Sequence, residues 1–104
     1  MSTIIPTPYY AVIFTSIRTT GDNGYGEMAN LMEELAKKQS GFLGIDSARE
    51  EVGITVSYWE SLEDIKKWKS QTDHQMAQSL GKEKWYESYR VRIAKVEKDY
   101  GFNL

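Results

Sequence analysis

Tyr9-Tyr10-Ala11-Val12-Ile13-Phe14-Thr15-Ser16-Ile17 decides the fold. Its β-branched and aromatic content makes it a strand. The strand does not alternate between apolar and polar. Tyr10, Val12 and Phe14 fall on one face; Tyr9, Ala11, Ile13 and Ile17 fall on the other. A strand apolar on both faces needs cover on both. Helices cover one side. In so short a chain, the expectation for the other side is a second copy of the sheet.

The elements that follow agree with that reading. Gly21-Asp22-Asn23-Gly24 is turn chemistry. Tyr25, Met28, Leu31, Met32 and Leu35 then recur at helical spacing, with Glu27, Glu33, Glu34, Lys37 and Lys38 off that face. Acids early and lysines late suit the helix dipole. Gly41 is the expected left-handed stop, and Phe42 packs back on the helix. Phe42–Glu50 reads as a second strand, and Glu51-Val52-Gly53 as a tight connection. Ile54-Thr55-Val56-Ser57-Tyr58-Trp59 is a third strand, so strands two and three form a hairpin. Ser57 and Trp59 share one face of it and Tyr58 takes the other. Only one of these sets faces the helices, and spacing does not say which.

Ser61-Leu62-Glu63-Asp64 is a capping box with Asp in place of Glu. It opens a helix carrying Leu62, Ile65 and Trp68. Thr72 or Asp73 is read as the N-cap of a second short helix, with Met76, Ala77 and Leu80 inward and a stop at Gly81. Tyr89–Val96 is the last strand, and a change of parity at Ala94 and Val96 predicts a bulge there. The order is β-α-β-β-α-β: an α+β, ferredoxin-like fold with a four-stranded antiparallel sheet and helices on one face. Met1–Pro8, with Pro6 and Pro8, is read as an extended arm (residues 1–8), and 9–104 as a single domain. The uncovered face predicts a two-fold homodimer.

Composition narrows the chemistry. The chain has 104 residues, no Cys, one His, and 13 basic against 15 acidic side chains. No Cys means no disulfide framework, thiolate nucleophile or iron–sulfur cluster. One His does not build a His-rich zinc site. No metal or other cofactor is expected. Near-neutral charge gives no footprint for nucleic acid. No apolar run approaches the ~20 residues of a membrane span, and no signal peptide is read at the start. The expectation is a cytoplasmic protein without membrane or nucleic-acid partners.

His74 is the only side chain whose ordinary pKa suits proton transfer near neutrality, which makes it the candidate general base or acid. The plainer alternative is a half-exposed histidine at a helix start. Trp59, Trp68, Trp85, Tyr58 and Tyr86 are the candidate substrate-binding residues, because aromatic faces hold a flat ligand and exclude water. Core or dimer-interface packing is the competing role for any of them. Tyr9, Tyr10, Phe14 and Phe42 are assigned to core and dimer interface. Arg90 and Arg92 suit an anionic group, or charge pairs with Asp46 or Glu50.

The run Ile54-Thr55-Val56-Ser57-Tyr58-Trp59-Glu60-Ser61, then Ile65, Trp68 and His74, together with Gly41-Phe42-Leu43-Gly44, resembles the antibiotic biosynthesis monooxygenase family. The resemblance spans Tyr9 to Val96. It implies a dimeric α+β barrel, with one pocket per subunit between the sheet and its helices. Characterised members oxidise phenolic polycyclic compounds with O2, using neither metal nor flavin; others degrade haem or have different roles. The function so implied is a cofactor-independent monooxygenase of a small aromatic substrate, of phenol or hydroquinone type. The alternative is a non-catalytic binding or stress-associated dimer on the same fold. Haem binding or degradation is disfavoured. The haem-ligating His of that branch lies further along, near Gln78, and its first-strand Asn has no counterpart between Val12 and Ile17.

Overall fold

The computed structural model describes residues 5–22, 24–79 and 85–104, and of residues 74–79 only the helical backbone. The elements are β1 (Tyr9–Arg18), α1 (Tyr25–Lys37), β2 (Phe42–Arg49), β3 (Gly53–Trp59), α2 (Leu62–Ser79) and β4 (Tyr86–Val96). The strands form one antiparallel sheet in the order β2-β3-β1-β4. The expected βαββαβ fold is therefore observed.

Local chemistry explains the joints. The Asp22 carboxylate accepts from Gly24 N (3.1 Å) and Gly26 N (3.2 Å), tying down amides that the first turn of α1 leaves free. Gly41 has φ 84°, and a Cβ there would fall on the Asp64 carboxyl group. Only glycine fits this stop. At α2 the Ser61 hydroxyl accepts from Asp64 N (3.1 Å) and donates to the Asp64 carboxylate (2.7 Å). The serine half of the capping box thus forms, and the short acid ties back to the serine hydroxyl.

Two expectations are corrected. The helix does not restart at Thr72 or Asp73; α2 runs unbroken from Leu62 to Ser79. No Gly or Pro interrupts it, and both caps are spent within the helix. Thr72 Oγ1 donates back to the Lys69 carbonyl (3.0 Å), and Asp73 pairs with Lys69 one turn earlier (2.9 Å). Leu80 and Gly81, the proposed end of the short helix, lie outside the described residues. Nor is there a bulge at Ala94. β4 pairs with β1 in register from Val96 to Ser88, and the shift comes at Ile17/Arg18. Ala94 and Val96 simply share the outer face with Arg90 and Arg92. These arginines are on β4, at the opposite edge from β2, so sheet pairing with Asp46 or Glu50 is excluded.

Both helices pack on one face of the sheet. The core joins Val12, Ala36, Trp59 and Ile65, with Tyr10, Phe42 and Trp68 against it. The even-numbered face of β1 is thus the helix face, and Ser57 and Trp59 are the members of β3 that share it. On the outer face Tyr9 is buried. Its hydroxyl donates to Asp99 of the C-terminal segment, and its ring meets Tyr58 edge-on at 6.0 Å. No described helix is long and apolar enough to cross a membrane.

Candidate functional site: an aromatic cavity with a guanidinium end

A cavity of about 480 Å³ lies between the helix face and the two helices, a size ordinary for small-molecule sites. The register lays out its floor in rows. Arg49, Gly53, Ser16 and Tyr89 form one row across the four strands; Ser47, Thr55, Phe14 and Val91 the next; Ile45, Ser57, Val12 and Ile93 the third. The helices supply the roof, with Tyr25, Met28 and Met32 from α1 and Ile65, Trp68 and Thr72 from α2.

Aromatic rings stand at both ends. Phe42, Trp59 and Trp68 form one group. Trp59 lies 5.5 Å from Phe42 and 5.1 Å from Trp68 between centroids. Trp59 is fully buried, and its indole N–H donates to Ser57 Oγ (2.9 Å). The Trp68 indole N–H is buried and has no acceptor. The other group is Phe14, Tyr25, Trp85, Tyr86 and Tyr89. Phe14 stacks on Tyr89 at 5.2 Å, Tyr86 meets Phe14 edge-on at 5.5 Å, and Tyr25 meets Trp85 and Tyr86 edge-on.

Two guanidinium groups attend this second group. Arg18 Cζ lies 3.6 Å from the Tyr25 ring centroid, and Arg49 Cζ 5.9 Å from it. Arg18 is held by the carbonyls of Gly21 (3.1 Å) and Asp22 (3.2 Å), while its Nε is buried without an acceptor. Arg49 lies across Gly53, where a Cβ would fall on the guanidinium, and donates to the buried Ser16 hydroxyl. Burial, reinforced by the neighbouring Tyr25, pushes the Tyr86 phenol far above its ordinary pKa, although the two arginines pull the other way. Tyr86 is therefore neutral at physiological pH and suited to hydrogen bonding rather than to acting as a base.

Of the candidates read from the sequence, Trp68, Trp85 and Tyr86 line the cavity. Trp59 lies beneath it, sealed against Trp68 and Ser57. Tyr58 is on the opposite face of the sheet, where its hydroxyl donates to Asp46 (2.9 Å), because β3 alternates and Trp59 takes the helix side. His74 belongs to α2, one residue after the cavity-lining Asp73, but its side chain lies outside the described residues. Phe14 is not an interface residue of the outer face, and neither are Tyr10 and Phe42; all three are on the helix side. Tyr89, another tyrosine that the sequence offers for the pocket, lines the cavity as well; Phe14, Tyr25 and Arg49 are cavity residues not selected from the sequence. Phe14 and Tyr89 follow from strand parity once the helix face is known. Arg49 required the register that sets it beside Gly53. Among the described residues, no three of His, Cys, Asp and Glu gather as metal ligands.

The model of one protein family, monooxygenase af470-like, matches residues 18–101, which include all of this cavity's framework except most of β1. The chain belongs to the monooxygenase af470-like family. It is 54% identical over 93 residues to the uncharacterized protein YqjZ of Bacillus subtilis (strain 168), covering 88% of this chain and 82% of that one. Among solved structures it is similar to a point variant of SnoaB, a cofactor-independent oxygenase from Streptomyces nogalater. The TM-score is 0.71 at 7% identity, over 88% of this chain and 95% of that chain. It is similar too to a proposed antibiotic biosynthesis monooxygenase from Nitrosomonas europaea. There the TM-score is 0.69 at 12% identity, over 97% of this chain and all (100%) of that chain. At such identities the structural likeness is one of fold. Together with the family match, it bears out the resemblance to antibiotic biosynthesis monooxygenases.

Proposed function

We propose that this family member is a cofactor-independent oxygenase acting on a flat, electron-rich aromatic of phenol or hydroquinone type. The observation that carries the reading is the cavity itself. It is about 480 Å³, bounded by Phe14, Tyr25, Trp68, Trp85, Tyr86 and Tyr89, in a fold shared with a cofactor-independent oxygenase. In this reading a base removes a proton from the bound phenol, and the anion passes an electron to O2. The two radicals combine, and loss of water leaves a new carbonyl. One oxygen atom enters the product, the other leaves as water, and the substrate supplies every electron. The protein contributes orientation, a dry cavity and proton management.

His74 is the proposed base; Trp68, Trp85 and Tyr86 are proposed to hold the ring. The proposed assembly is a homodimer. It is supported by the outer face of β1, where Ile13 and Ile17 lack a helix above them, and by Tyr100 and Phe102, each 87% exposed near the C-terminus. Oxygen consumption with a panel of anthrones and hydroquinones tests the activity. Uptake above buffer that drops at least about tenfold in His74→Ala is expected for loss of a general base. No uptake with any member of the panel overturns the oxygenase reading, and binding without uptake favours a binding protein.

A further inference from the structure

We propose that the cavity takes its ligand as an anion: a flat aromatic bearing a carboxylate, anchored by the Arg49 guanidinium. This rests on the cavity being a ligand site, as above, but not on oxygen chemistry. The argument begins with an imbalance of donors and acceptors. The carboxylates lining the cavity are already matched, Glu33 by Lys37 (3.3 Å) and Asp73 by Lys69 (2.9 Å). Every ion pair among the described residues is made by a lysine. Arg49 has none. Its described partners are a neutral hydroxyl, Ser16, and the face of Tyr25. Arg49 itself is exposed, at the open side of the cavity, whereas the Arg18 Nε and the Trp68 indole N–H are buried donors without acceptors.

Arg49 is also built into place. Its strand partner is Gly53, whose partner on β1 is Ser16. Any side chain at position 53 would occupy the guanidinium's position, so the missing side chain leaves the trough in which Arg49 crosses β3 to reach β1. One fixed nitrogen leaves the rest of the planar fork available, and that fork matches a carboxylate in two-point geometry. A second cation, Arg18, stands over the same Tyr25 ring. Two like charges on one aromatic ring repel, and an anion between ring cluster and guanidinium relieves that repulsion. In the rest of the floor Phe14, Val12, Val91, Ile45 and Ile93 are apolar and Ser47, Thr55 and Ser57 carry only neutral hydroxyls, which suits the body of an aromatic ligand rather than a phosphate or a peptide.

The test is calorimetric titration of 1-hydroxy-2-naphthoate against its methyl ester at neutral pH. The acid is expected to bind about tenfold tighter, an advantage that added salt reduces. Arg49→Met should bring the acid to parity while leaving the ester within about twofold, and Arg49→Lys should keep part of the preference. Lys66→Met, an exposed charge away from the cavity, removes the same net charge and should keep all of it. Circular dichroism confirms that each variant is folded. Parity in the wild type, a preference surviving in Arg49→Met, equal loss in Lys66→Met, or no binding of either probe at millimolar concentration overturns the proposal. Acid preference without oxygen uptake removes the oxygenase reading alone. Uptake with neutral phenols and no acid preference removes this proposal alone.

Discussion

Trp59 and Ser57 show how one residue pair sets the floor of the cavity. The fully buried indole needs an acceptor, and the serine two positions away on the same strand face supplies it. Ser57→Ala leaves that N–H buried and unsatisfied, at a cost of about 1–3 kcal/mol. Trp59→Ala removes the ring that underlies Trp68 and should cost roughly 3–5 kcal/mol, both measurable by urea denaturation. Tyr9 gives a pH prediction at the same scale. Its hydrogen bond to Asp99, then burial, raises its pKa from 10 to about 12. A folded pKa above the unfolded one means that the neutral phenol stabilises the fold below 10, and that this contribution fades as pH rises toward 12. In alkaline absorbance titration Tyr9 should ionise late, and Asp99→Asn should move that phenol back toward 10.

At the scale of elements, the Gly41 stop and the Ser61 cap were legible in the sequence because they are local. Gly41 and Ser61 act within a few residues, and each does what its spacing implies, whereas the Asp22 carboxylate, read only as part of a turn, also caps α1. Ser61→Ala should lower stability by about 1 kcal/mol, a fall in Tm of roughly 4–8 °C for a domain of this size. The misreading of α2 has the same local origin. Thr72 and Asp73 are good caps in isolation, but a helix already under way offers them partners at Lys69, and continuing costs less than restarting. Gly41→Ala should be worse than the Ser61 change, since it adds left-handed strain of about 1–2 kcal/mol and displaces Asp64 as well. Comparing the two thermal midpoints checks the order.

At the scale of the molecule, the sheet is covered by helices on one side only. The outer side holds Ala11, Ile13 and Ile17 of β1, with the C-terminal segment reaching it through Asp99. Light scattering at micromolar concentration should give twice the monomer mass. A monomer would contradict the homodimer proposed here, and removal of residues 100–104 is expected to weaken that dimer through loss of exposed Tyr100 and Phe102.

The sequence by itself determined the element order, the apolar character of both faces of β1, the Gly41 stop and the Ser61 cap, and the scarcity of His and Cys. All of these are set by propensity, periodicity or composition, which act over a few residues or over none in particular. Only the tertiary structure decided which face of each strand meets the helices. Alternation in β3 yields two equivalent sets, and burial of Trp59 against Val12 and Ile65 selects one of them. That choice sent Tyr58 to the outer face, brought Phe14 and Tyr89 to the cavity, and carried Trp68, Trp85 and Tyr86 there as well. Arg49 was invisible for a stronger reason. Its place depends on an empty position at Gly53 and a hydroxyl at Ser16, and only strand register brings those three residues, from three separate strands, into one row.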